Sequence, residues 1–194
     1  AIIPNEEIRK KYKETIDLIG ANTTNIFGLV GLEAAYNYGE EWLDEKLVTA
    51  IRKWIYNGGG FIGVGEPTAY HHQGRFFQLA DALGVDKELG FSLSTDKYFT
   101  EELEEHFIIK DVEGSIDFGE SMNNIYALSE NTEIIEYSNG EVHLAANQYG
   151  KGRCVYIAGL PYNKENTRIL LRSMFYSANK EEELYRWFAT NIAV

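Results

Sequence analysis

The densest group of side chains with chemical potential in this chain is Gly65-Glu66-Pro67-Thr68-Ala69-Tyr70-His71-His72-Gln73-Gly74-Arg75. It combines a carboxylate, a phenol, two imidazoles, an amide and a guanidinium. Glu66 suits a nucleophile or a ligand-binding carboxylate if it projects from a sharp turn at the end of a strand. The alternative is that it satisfies neighbouring backbone donors. His71 and His72 are adjacent and point in different directions, and the segment has neither a cysteine nor a second spaced histidine, so neither a metal nor a cofactor is expected. Arg75 suits an anionic substrate group, or else packs and pairs with a nearby carboxylate.

Other motifs carry less. Gly58-Gly59-Gly60 precedes its strand, whereas a dinucleotide loop follows one. Gly150-Lys151-Gly152 lacks the full phosphate-loop spacing and reads as a hairpin turn. No Gly-x-Ser-x-Gly elbow exists, and Cys154 lies inside the apolar run Cys154-Val155-Tyr156-Ile157-Ala158, the setting of a buried, inert thiol. Trp54 and Trp187 fall on apolar helical faces, leaving Trp42 as the one tryptophan placed for binding.

The elements that position the polar cluster follow from periodicity. Leu47, Val48, Ile51, Trp54 and Ile55 share one face of a helix beginning near Asp44, stopped by the glycines at 58–60. Phe61-Ile62-Gly63-Val64 is a short buried strand, and a second helix is expected from near Gly74, with Phe76, Leu79, Ala80 and Leu83 on one side. Thr15–Gly20 looks strand-like, while Phe27–Leu32 is ambiguous. Val85–Glu120 is expected to be mostly irregular, with His106–Ile109 extended. Strands are expected at Ile125–Leu128, Glu133–Tyr137 and Val142–Ala146, with Ser138-Asn139-Gly140 as a hairpin turn. The buried strand from Cys154 precedes a helix bearing Ile169, Leu170, Met174 and Phe175, and a last helical segment holds Leu184, Trp187 and Phe188. The expectation is one α/β domain over 1–194, three-layered around a mainly parallel sheet with some antiparallel strands. Functional loops are then expected after Val64 and after Ala158.

Composition narrows the classes of partner. The 194 residues carry 30 acidic and 18 basic side chains, a formal charge of -12, which repels phosphate backbones and anionic lipid. Neither nucleic acid nor a membrane is an expected partner. The one cysteine cannot form an internal disulfide and fits a reducing cytoplasm. The apolar ending Asn191-Ile192-Ala193-Val194 reads as cut rather than natural.

Two blocks of sequence are more specific. Gly58–Ala69 followed by Gln73–Glu88, and Leu144–Asn147 with Tyr149–Arg153, Tyr156–Tyr162 and Glu165–Arg168, resemble the central domain of the 1,3-beta-galactosyl-N-acetylhexosamine phosphorylases, the lacto-N-biose phosphorylase family. The resemblance runs from about Trp42 to Trp187. It implies a central domain similar in fold to class I glutamine amidotransferases (flavodoxin-like), set between a catalytic TIM barrel and a C-terminal β domain of the same polypeptide, with a second copy of the enzyme, in a homo-oligomer, among the implied partners. The implied reaction is reversible, inverting phosphorolysis of a galactosyl disaccharide by phosphate, giving alpha-galactose 1-phosphate and a free acceptor sugar. The family's general acid is a barrel aspartate, and nothing here reads as an eight-fold βα repeat. Where the amidotransferase-like fold would place a catalytic cysteine, this chain has Glu66. The resemblance thus implies no catalytic residue here, and leaves Glu66, Tyr70, His71, His72, Gln73 and Arg75 as an interface or substrate-proximal loop. The alternative is a freestanding amidotransferase-like enzyme or assembly module using Glu66 and His71 or His72.

Overall fold

The computed structural model describes residues 26–30, 45–72, 75–88, 102–121 and 123–185. The face defined by Val48, Ile51 and Ile55 forms helix α1 (Glu45–Tyr56). Its C-terminal carbonyls are closed by the Gly58 and Gly59 N–H groups, which donate to Ile55 and Trp54 at 2.9 and 3.1 Å. Gly58 sits at φ 115, a conformation that glycine adopts without steric cost. Strand β1 (Ile26–Val30) lies parallel to β2 (Gly60–Val64), and β2 lies parallel to β9 (Gly152–Ile157). The chain then doubles back, with β8 (Glu141–Tyr149) antiparallel to β9 and β7 (Glu133–Ser138) antiparallel to β8. The five strands run in the order β1-β2-β9-β8-β7.

Two small antiparallel sheets stand beside it. One joins β3 (Ala69–His72) to β4 (Arg75–Phe77), and the other joins β5 (Val85–Lys87) to β6 (Ile125–Ala127). Helix α2 (Ala80–Leu83) lies between β4 and β5 in the chain, and α3 (Lys164–Ser177) follows β9.

This topology corrects the expectation of a mainly parallel, amidotransferase-like (flavodoxin-like) sheet. Among the described pairings two are parallel and four antiparallel. The reason is the length of the connections. A parallel pair needs a crossover of about a dozen residues or more, but β7, β8 and β9 are joined by two-residue turns at Asn139-Gly140 and Gly150-Lys151. Asn139 and Gly140 take φ 55 and 84, the positive pair that matches the twist of a tight hairpin.

Both faces of the sheet are buried at strands β2 and β9. On one, Val48, Ile51 and Ile55 of α1 meet Phe61, Ala145, Cys154 and Tyr156, joined by Leu79 and Leu83. On the other, Ile169 of α3 meets Ile62, Val64, Leu144, Ala146, Val155 and Ile157. Each fully buried isoleucine here contributes about 1.5–3 kcal/mol relative to exposure. Burial on both sides explains why β2 and β9 read as continuous apolar runs.

Several local expectations change. The helix expected from Gly74 is strand β4 followed by the four-residue α2, because the Asp86 carboxylate and the Thr68 carbonyl capture the N–H groups of Phe76, Phe77 and Gln78. His106–Ile109 is not extended. Phe107–Ile109 forms a 3-10 turn, with His106 Nδ1 accepting from the Ile108 N–H at 3.1 Å. The irregular stretch from Val85 contains β5, and the ambiguous segment around Phe27 contains β1. The expectations for Thr15–Gly20, Trp42, Trp187 and Phe188 lie outside the described residues.

Candidate functional site

The parallel pair β2 and β9 ends with two neighbouring loops. Val64 lies opposite Ile157, and the Gly65 N–H donates to the Ile157 carbonyl at 2.9 Å, so the pairing continues one residue past β2. Gly65 then turns at φ 68, and its carbonyl accepts the Tyr156 hydroxyl at 3.2 Å. Burial, with Glu66 and Glu141 nearby, holds the Tyr156 phenol well above its ordinary range, so it serves as a neutral donor.

Glu66 is half-buried rather than projecting. Its Oε1 lies 3.6 Å from Lys87 Nζ on β5, and both side chains are only about a fifth exposed (19% and 22%). Lys87 Nζ also stands 5.0 Å from the centre of the Phe76 ring. Pro67 packs against Gly63, where a Cβ would come within 2.5 Å of the proline ring. Thr68 is fully buried at φ 60, an unusual conformation for a β-branched residue, held because its Oγ1 accepts from Leu79 N–H and its carbonyl from Gln78 N–H.

Beyond Thr68 the chain makes the β3–β4 hairpin. Tyr70, His71 and His72 lie on β3 and Arg75 opens β4, with His72 opposite Arg75; Gln73 lies outside the described residues. The hairpin's return is fixed by Asp86, 1% exposed, whose Oδ1 accepts from the N–H groups of Phe76, Phe77 and Lys87 at 3.0, 3.0 and 2.9 Å. Among the described residues, no cluster of three or more histidine, cysteine, aspartate or glutamate side chains could hold a metal ion.

The loop after β9 presents a residue that the sequence argument passed over. Tyr162 is fully exposed, yet its surroundings are fixed. Asn163 caps α3, accepting from the Asn166 N–H at 2.7 Å. Buried Asn166 donates through Nδ2 to the carbonyls of Pro161 and Asp117, both at 2.8 Å. A side chain at Gly159 would collide with the Phe118 carbonyl oxygen. Tyr162 therefore stands on a rigid base with its ring in solvent.

His143 was also missed. The β7–β8 register steps from Glu136↔Leu144 to Tyr137↔Val142, leaving His143 as a bulge. Bulges re-aim side chains. The His143 ring stacks on Phe118 at 5.2 Å between centroids, and its buried ring nitrogens have no hydrogen-bond partner among the described residues. Its carbonyl accepts from the Ala158 N–H at 2.8 Å, which places it beside the same end of β9.

Helices on both faces of a mixed sheet, with polar loops gathered where its parallel strands end, define an α/β domain over the described residues. Over residues 7–182 the chain matches the lacto-N-biose phosphorylase central domain, and it belongs to that family. It is 50% identical over 156 residues to a 1,3-beta-galactosyl-N-acetylhexosamine phosphorylase of Lachnoclostridium phytofermentans, covering 80% of this chain and 21% of that protein. It is 39% identical to the 1,3-beta-galactosyl-N-acetylhexosamine phosphorylase of Bifidobacterium longum, covering 82% of this chain and 26% of that protein. The chain thus spans about a quarter or less of the length of these relatives. Among solved structures it is similar to a beta-galactosidase from Rahnella, with a TM-score of 0.46 and 18% identity over 72% of this chain and 21% of that one.

Proposed function

We propose that this chain is the non-catalytic central domain of an inverting phosphorylase acting reversibly on beta-galactosyl-N-acetylhexosamine disaccharides. The products are alpha-galactose 1-phosphate and the free acceptor sugar. In this reading a catalytic barrel and a C-terminal β domain belong to the same cytoplasmic polypeptide, and the barrel binds phosphate and disaccharide. One carboxylic acid there protonates the glycosidic oxygen while phosphate attacks the opposite face of the ring.

The observation that carries the non-catalytic reading is the tie between Glu66 and Lys87. The carboxylate at the end of β2, where chemistry in this chain would have to begin, is half-buried and held by a cation at 3.6 Å. The Glu66–Arg75 loop and the neighbouring Tyr162 turn are the proposed contact with the barrel or with another subunit. A rigidly based, fully exposed aromatic supplies contact area at little conformational cost.

The test is direct. The chain is incubated with lacto-N-biose and phosphate, and galactose 1-phosphate is measured against a control without protein. No release above the control is expected, and release above it would overturn the reading.

A further inference from the structure

Strand β7 is the open edge of the central sheet among the described residues, and an open edge invites pairing with another chain. Here it is covered. The Leu103 N–H donates to the Ile134 carbonyl at 2.9 Å, and Glu102 Oε1 accepts the Tyr137 N–H at 3.0 Å. The residues that make this cover have little apolar hold, since Glu102, Leu103, Glu104 and Glu105 are all exposed.

The anchoring begins at the next residue. His106 Nδ1 accepts the Ile108 N–H at 3.1 Å, while its Nε2 lies 3.5 Å from Glu133 Oε2 on β7. One neutral tautomer, with its proton on Nε2, serves both contacts. The same Glu133 oxygen accepts the Tyr176 hydroxyl of α3 at 3.0 Å, and the Tyr176 ring lies edge-on to His106 at 4.9 Å. Beyond this point the segment is firmly held. Ile108 is fully buried, and Arg172 pairs with Asp111, donates to the Phe107 carbonyl at 2.8 Å and lies over the Phe107 ring.

We propose that residues 102–106 are a detachable arm guarding the β7 edge, and that the meeting of His106 and Tyr176 on Glu133 is the proton-sensitive lock that keeps it closed. The charged and titratable groups around the lock come from every neighbouring element: Glu133 and Glu136 from β7, Arg172 and Tyr176 from α3, and Arg153 from β9. Glu181 lies beyond Arg153, and Glu102, Glu104, Glu105, Lys110 and Asp111 belong to the arm and its anchor. The hydrogen bond from His106 holds the Glu133 carboxyl below its ordinary value of 4.5, against an opposing effect of burial. Glu136 is pushed the other way, by burial and then by the charge of Glu102.

The two shifts act in opposite senses on stability. A carboxyl lowered by folding contributes stability above its unfolded value and loses it as pH falls through the folded value. Glu133 therefore releases the arm in acid. A carboxyl raised by folding, as burial raises Glu136, costs stability as pH rises through its folded value.

The experiment is site-resolved amide hydrogen exchange on the whole chain from neutral pH down to about pH 3.5, corrected for intrinsic rates, with β8 and β9 amides as internal reference. At neutral pH, Glu133→Gln is expected to lower Leu103 protection about three- to tenfold, the loss of a half-exposed, charge-assisted contact. The β8 amides should not move in this variant. In the unchanged chain Leu103 protection should fall as Glu133 is protonated, and in Glu133→Gln that acid-driven fall should be smaller. Exchange of Leu103 in step with the β8 amides under all conditions would overturn the arm. Unaltered Leu103 protection in Glu133→Gln would overturn the lock.

Discussion

The hairpin that carries Tyr70, His71, His72 and Arg75 hangs on a single buried carboxylate, and removing it gives a sharp test of the packing argument. Asp86 is 1% exposed, and its Oδ1 accepts three backbone N–H groups at 2.9–3.0 Å. In Asp86→Ala the Lys87 and Phe76 N–H groups, both part-buried, can recruit water, but the Phe77 N–H is buried and is left without an acceptor. One buried orphan donor costs about 1–3 kcal/mol, and loss of the charge-assisted bonds adds to it. Relief of the carboxylate's own desolvation acts in the opposite direction. A net loss of about 3 kcal/mol is expected, and for a chain of this size about 2–4 °C of Tm accompanies each kcal/mol, so the midpoint should fall by about 6–12 °C. Asp86→Asn keeps one acceptor oxygen but exchanges the other for an NH2 donor, and its midpoint should fall by less than that of Asp86→Ala. The assay is thermal unfolding followed by circular dichroism, with amide exchange at Phe76 and Phe77 as a local readout. If Asp86→Ala melted within a degree or two of the unchanged chain with those amides still protected, the carboxylate would not be organising the hairpin.

Two further outcomes follow from the same geometry. Cys154 is fully buried, and burial, with a smaller effect from Asp81, pushes its thiol far above the ordinary range. The native chain should therefore react slowly with a thiol reagent and rapidly once denatured; equal rates in the two states would contradict the burial. Glu66→Gln in a full-length enzyme carrying this domain should reduce turnover by less than about tenfold, since the half-buried side chain supports a loop, whereas a loss of about 100-fold or more with assembly intact would identify an acid or base.

How far the sequence could be read depended on the range over which each element is decided. Helix α1 was legible because its apolar positions repeat locally and three glycines end it; the β7–β8 hairpin was legible because Asn139-Gly140 fixes the turn by itself. The Gly74 helix failed for the opposite reason. Leu79, Ala80 and Leu83 have helical spacing and do form α2, but the preceding turn is drawn out straight by Asp86, an acceptor nine or ten residues away. Sheet direction was misjudged where a strand-and-helix rhythm was carried past β9's two-residue turn. At His106 the cap is an imidazole, outside the usual set of helix-capping residues, so the turn gave no recognisable signal.

At the candidate site the chain position of the polar cluster was legible, but its orientation was not, because Lys87 reaches Glu66 from a strand 21 residues further on. Tyr162 had a local signal that could have been used. It precedes the cap residue Asn163, where an aromatic side chain ordinarily packs onto the fourth helical residue, but that residue is Thr167, whose hydroxyl bonds to the Asn163 carbonyl instead. With no apolar partner on its own helix, the ring is left to solvent above a turn held by the Asn166 hydrogen bonds to Pro161 and Asp117.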